Sequence, residues 1–266
     1  MLFRSHPARF CLPCIAPCPV PVARTTADGE SWTWHEFMLT AFHFPGQTLY
    51  HGGLLVEGQG KKVFFAGDSM APTGVDDYTA GNRVFLGPGL GMRRCMEVLR
   101  RVQPDYILNQ HQDKAFVFIA EQLDQMDSIL AKRQELIEEM TPWDNANFAV
   151  DEHWIRTCPY EQEVAPGAVF ALDVEFTNHA AHEAHAAAEA VLPSGWHARV
   201  DGPQEVKVPA RTSGLRGPGV ASPDGAVCLW IECPADAAPG LRVVPVRVWW
   251  EGRPLGQVVH ALVRVR

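Results

Sequence analysis

One change of rhythm constrains what this chain can fold into more than any other feature. Up to about residue 155, apolar runs of strand length alternate with stretches of helical period. Beyond it only period-two runs remain, separated by Pro-Gly turns with no helix between them. The sequence is therefore read as two domains: residues 31–155 mix strands and helices, and residues 156–266 form a small antiparallel β-sandwich. A Pro- and Cys-rich tail, residues 1–30, precedes both. The expected fold class is α+β.

In the first domain, Trp32, Trp34, Phe37, Leu39, Phe42 and Phe44 give one or two strands, stopped by Pro45-Gly46. Leu54-Leu55-Val56 and Lys62-Val63-Phe64-Phe65-Ala66 flank Gly58-Gln59-Gly60, a hairpin signal. A Gly- and Pro-rich loop covers residues 71–92, then helical period returns over Arg93–Val102. Tyr106-Ile107-Leu108 reads as a short strand. Ala115–Met140 is the longest helical run, with Phe116, Ile119, Leu123, Met126, Ile129, Leu130, Leu136 and Ile137 as its expected buried stripe. In the second domain, residues 169–176, 206–208, 226–231, 243–250 and 258–263 read as strands.

Composition excludes several classes of function. The net charge is −8, so no basic face for a phosphate backbone is expected and nucleic acid is not an expected partner. No uncharged apolar run approaches the roughly 20 residues that cross a bilayer. No Gly-x-Ser-x-Gly, Walker or dinucleotide fingerprint is present. Seven cysteines cannot all pair within one chain. Cys11, Cys14 and Cys18 have spacing that could share a metal, but Pro7, Pro13, Pro17, Pro19 and Pro21 resist compact structure around them. That segment is read as a poorly ordered tail, or as a start inside a longer natural chain. Nothing fixes a compartment; the cytoplasm is the default expectation.

Three polar points each follow an apolar strand and could converge at one rim of a sheet. They are Pro45-Gly46-Gln47-Thr48-Leu49-Tyr50-His51, Phe65-Ala66-Gly67-Asp68-Ser69 and Ile107-Leu108-Asn109-Gln110-His111. Carboxylate and imidazole are ligands for zinc and other divalent metals, which make hydroxide available near neutral pH.

In order and spacing, residues 32–130 resemble the C-terminal half of a metallo-β-lactamase-fold hydrolase. The resemblance implies half of an αββα layered domain. In that family a Pro-Gly-His-Thr turn supplies a metal histidine, a strand ending in Gly-Asp supplies an aspartate, and a later strand ends in a final metal histidine. By this resemblance Asp68 is the catalytic, metal-binding aspartate and His111 the final metal histidine. Gln47 stands where the first histidine is expected, and His51 lies four residues on; either is a candidate third ligand. The implied cofactor is zinc or another divalent metal. The implied reaction is attack by metal-bound hydroxide on a small-molecule ester, thioester, lactam or phosphoester. The family's His-x-His-x-Asp-His signature is absent, and the separation of His35 and His43 does not imitate it. The chain is then either a fragment whose remaining ligands lie upstream, or a degenerate domain that serves as a non-catalytic binding or structural protein. A half-sheet without its partner layer would expose apolar surface, so self-association is expected.

Residues 158–266 resemble the immunoglobulin-like sandwich modules appended to many bacterial enzymes. The resemblance is carried by Val164-Ala165-Pro166-Gly167, Asn178, Leu192-Pro193-Ser194-Gly195-Trp196 and the turn ending Pro239-Gly240. One of Trp249 and Trp250 is expected to fill the sandwich core. His179, His182 and His185 recur every three residues, read as a solvated loop or strand edge before a metal tract. Asp76-Asp77-Tyr78 reads as a polar turn in the long loop.

Overall fold

The computed structural model describes residues 26–48, 51–74, 85–210 and 223–266. Cys11, Cys14, Cys18 and Asp76-Asp77-Tyr78 lie outside these residues. The described chain divides into two compact units between Glu152 and His153. No helix among the described residues is long and apolar enough to cross a membrane.

The first unit is built on one five-stranded sheet in chain order. Its strands are β1 (Ser31–Trp34), β2 (Phe37–His43), β3 (Gly52–Gly58), β4 (Lys61–Gly67) and β5 (Tyr106–Asn109). All neighbours run antiparallel except β4 and β5, which are parallel. The β3–β4 turn has Gln59 and Gly60 at φ 50° and 71°, the two left-handed residues that match hairpin twist. Helix α1 (Gly91–Val102) lies between β4 and β5 in sequence, as a parallel pair requires. Helices α2 (Ala120–Met140) and α3 (Asn147–Val150) follow.

Alternation gives the sheet two different faces. Phe42, Leu55, Phe64, Ala66 and Ile107 point inward and pack with Met92, Cys95, Met96, Leu99 and Val102 of α1 and with Leu123 and Leu130 of α2. The opposite face carries two cross-strand rows. One runs Trp32, Leu39, Val56, Val63, Tyr106, and the other Ala41, Leu54, Phe65, Leu108. No helix of the core cluster covers these rows. The unit thus has one helical layer on one sheet, and a full αββα arrangement is not seen among the described residues.

Helix α2 departs from the expected span and stripe. It begins at Ala120, five residues late, because Phe116 has joined the sheet. Ile107 N donates to Phe116 O at 2.6 Å, and Phe116 N donates to Ile107 O at 3.1 Å. The Gln122 side chain then caps the start, its Oε1 accepting from Ile119 N at 3.0 Å. Only Leu123 and Leu130 are buried, while Ile119, Ile129 and Leu136 are 59%, 60% and 46% exposed. Arg93, near the start of α1, already pairs with Asp127 at 2.8 Å. The later turns of α2 thus lie beyond the N-terminal end of α1, and past Leu130 no residue of α2 is fully buried.

The second unit contains two sheets. One has the order β10 (His197–Ala198), β12 (Gly225–Glu232), β8 (Val169–Phe176), β6 (Ile155–Cys158). The other has the order β11 (Gln204–Val208), β9 (Ala184–Ala190), β13 (Gly240–Trp250), β14 (Arg253–Val265), β7 (Glu161–Val164). Strict alternation buries Phe170, Leu172, Val174 and Phe176 from β8, and Val244, Val246, Val248 and Trp250 from β13. Trp250, 2% exposed, is the core tryptophan, with Trp154 edge-on at 5.1 Å. The expectation of a purely antiparallel sandwich is corrected at one edge, where β7 runs parallel to β14.

The histidine tract does not form a cluster. His179 is buried, whereas His182 and His185 are exposed. The fully buried Asn178 pins the segment: its Nδ2 donates to His182 O at 2.8 Å and Val208 O at 3.0 Å, and its Oδ1 accepts from Ala180 N at 2.8 Å.

Candidate functional site

Three loops leave the same end of the first unit's sheet, and short polar contacts tie them together. The Phe44–Gln47 loop approaches Ser69, whose buried Oγ donates to Phe44 O at 3.2 Å and accepts from Gln47 N at 3.2 Å. Gly46 makes the approach possible: a Cβ there would lie 2.5 Å from Ser69 Cβ. The loop after β5 is tied to the same strand end by Asn109, whose Nδ2 donates to Met70 O at 2.9 Å. Asn109 Oδ1 in turn accepts from His111 N at 2.7 Å, which fixes the backbone of His111.

Asp68 sits at the centre, its side chain 16% exposed. Its Oδ2 accepts from Gln47 Nε2 at 2.9 Å and from Gln110 Nε2 at 2.7 Å. Its Oδ1 is buried and takes no well-aligned hydrogen bond, and His111 Nε2 lies 3.1 Å from it. The His111 ring is 71% exposed, so it forms the outer wall of the site. Asp68 and His111 are brought together; so is Gln47, as a donor to the carboxylate. Gln110, to which the sequence reading gave no role, contributes the second amide.

His51 reaches the site from behind. Its Nε2 lies where a Gly67 side chain would be, only 2.2 Å from an ideal Cβ, and Gly67 has φ +55°. Burial pushes the imidazole below its ordinary value, partly opposed by the Asp68 charge. Gly67→Ala is expected to destabilise the protein by about 1–2 kcal/mol through the left-handed backbone alone. It should also turn His51 out of its place. Thermal unfolding measures the first effect; the His51 ring resonances in NMR report the second.

The donor set can be tested for a divalent ion. Two imidazoles and a carboxylate are the right atoms. Two ligands about 2.1 Å from a tetrahedral zinc stand roughly 3.4 Å apart, close to the Asp68–His111 separation. The count falls short: among the described residues no group of three or more His, Cys, Asp or Glu is placed to hold one ion. Gln47 turns its amide nitrogen, not its oxygen, toward Asp68. Asp68 and His111 stand at a separation that two ligands of one ion can have, and no third donor among the described residues completes a group with them.

No family profile matches this chain, and no curated protein matches it in sequence. Solved structures give partial, low-scoring similarities of two kinds. A metallo-β-lactamase from Cronobacter sakazakii is 20% identical with a TM-score of 0.31, over 47% of this chain and 51% of its own. An MSP-domain-like protein of Caenorhabditis elegans is 14% identical with a TM-score of 0.26, over 41% of this chain and 97% of its own. A human PapD-like domain is 12% identical with a TM-score of 0.24, over 42% of this chain and 84% of its own. The chain spans about half the length of the Cronobacter enzyme it matches.

Proposed function

We propose that this chain carries part of the site of a metal-dependent hydrolase acting on a small-molecule ester, thioester, lactam or phosphoester. The observation that carries the reading is the Asp68 Oδ1–His111 Nε2 approach of 3.1 Å at the mouth of three joined loops. Asp68 and His111 would hold the divalent ion, with Gln47 or His51 as the candidate third ligand. Such an ion supplies a nucleophile near neutral pH by acidifying water. The protein's own part is positioning. Gln47 and Gln110 hold one Asp68 oxygen by two amide hydrogen bonds, which leaves the other directed at His111. Asn109 sets the His111 backbone, and the exposed His111 ring borders the side from which substrate arrives.

A second reading, a non-catalytic binding or structural protein on this scaffold, is favoured by one specific observation. Two amide donors already satisfy Asp68 Oδ2 within the protein. Metal analysis separates the readings. Zinc or another divalent ion near one equivalent, lost in both Asp68→Ala and His111→Ala with circular dichroism unchanged, is the result expected of the hydrolase. Protein that stays metal-free after dialysis against zinc, and still folds, would leave the second reading standing.

A further inference from the structure

We propose that the open face of the five-stranded sheet is a dimer interface, covered by the same face of a second copy of this chain. This inference concerns the face away from α1 and α2 and does not depend on any metal at Asp68. The Trp32–Tyr106 row crosses all five strands and the Ala41–Leu108 row four, and neither contains a charged side chain; Ala41 itself is fully buried. Sheets with one solvated face ordinarily place polar residues there. Here Trp34 is 58% exposed, Tyr106 46% and Phe65 43%, and Leu54, Val56 and Val63 between them are half-buried.

The area decides what can cover this face. Aromatic side chains present about 150–250 Å² each, so the three exposed rings leave roughly 300 Å² uncovered. With the half-buried residues of the rows, the face offers about 600 Å² per copy. Two copies together bury about 1,200 Å², where specific interfaces begin. A second copy is the occupant these features fit. Its two rows are equally apolar, and the one charge beside them, Lys61, is already paired with Asp105, so sheet-on-sheet packing about 10 Å apart buries no unpaired charge. A two-fold axis satisfies both patches at once and closes the assembly. Lys61, 57% exposed at the rim and 5.9 Å from the Tyr106 ring centroid, gives the patch a polar border.

Sedimentation equilibrium of the full chain tests the proposal. A monomer–dimer equilibrium in the micromolar range is expected. It should tighten as salt rises, because each copy carries a net charge of −8. Phe65→Lys with Tyr106→Lys should weaken the dimer at least ~10-fold. Ile129→Lys, on the exposed side of α2, should leave it unchanged. Phe65→Lys alone is the milder variant and should act in the same direction if the pair perturbs the circular dichroism. A wild-type chain that stays monomeric throughout this range would overturn the proposal and assign the face to another partner. A dimer that survives Phe65→Lys and Tyr106→Lys with its fold intact would overturn it as well.

Discussion

Phe64→Ala is expected to cost about 3–5 kcal/mol, enough to remove much of the stability of an ordinary domain. Phe64 is fully buried at the centre of β4, with the Phe44 ring 4.8 Å away and the Phe42 ring 6.0 Å away. The backbone has been shaped around it. Gly53 on β3 has no side chain, and a Cβ there would sit 2.5 Å from Phe64 Cζ. Alanine at position 64 therefore leaves a hollow between sheet and helices, and Gly53 brings no atoms to fill it. Close packing makes such a hollow expensive, since the walls relax only in part. The consequence reaches the site, because Asp68 is four residues further along the same strand exit. Urea unfolding should show the lower midpoint. Any zinc bound at Asp68 and His111 should be lost with the first unit's transition. A loss of unfolding free energy below about 1 kcal/mol would mean that the sheet–helix contact carries little of the stability.

The first unit was legible in the sequence where local chemistry and tertiary packing agree. The Gln59-Gly60 turn, the apolar period of α1 and the positions of Asp68 and His111 beyond strand ends all follow from patterns within a dozen residues. The misses arise where a distant partner overrides the local pattern. Residues 115–119 have the apolar period of a helix, yet Phe116 gains two backbone hydrogen bonds by pairing with Ile107. Strand β9, Ala-His-Ala-Ala-Ala-Glu-Ala, has helical propensity throughout. It is a strand because Ala184, Ala186 and Ala188 are the small residues that fit beneath the sandwich core, with Ala186 in register with Trp250. The parallel edge strand β7 is mostly polar and four residues long, so its pairing with β14 leaves no trace in its own sequence. In the site, Gln110 was overlooked because a glutamine has no spacing rule; it matters through a carboxylate 42 residues earlier.

Gln47→His is expected to raise zinc affinity by at least ~100-fold, more than the 10–100-fold that outer-shell partners typically govern. Position 47 is already delivered to the site. Its backbone is anchored on Ser69 Oγ and its side chain reaches Asp68 Oδ2 at 2.9 Å. An imidazole there would replace an amide that donates to the carboxylate with a ring nitrogen able to share an ion with it. Asp68, His111 and a histidine at 47 would make three protein ligands, the number found in catalytic zinc sites with an open fourth position. The gain should be proton-linked. Imidazole must be neutral to bind, so affinity should fall as the pH drops below the ordinary histidine value of about 6.5. Competition against a chelator at neutral and mildly acidic pH measures both effects, with Asp68→Asn in the Gln47→His background expected to erase the gain. An affinity unchanged by Gln47→His would mean that the Phe44–Gln47 loop does not present its side chain to the same point as Asp68 and His111. The metal-dependent reading would then lose the position best placed to complete it.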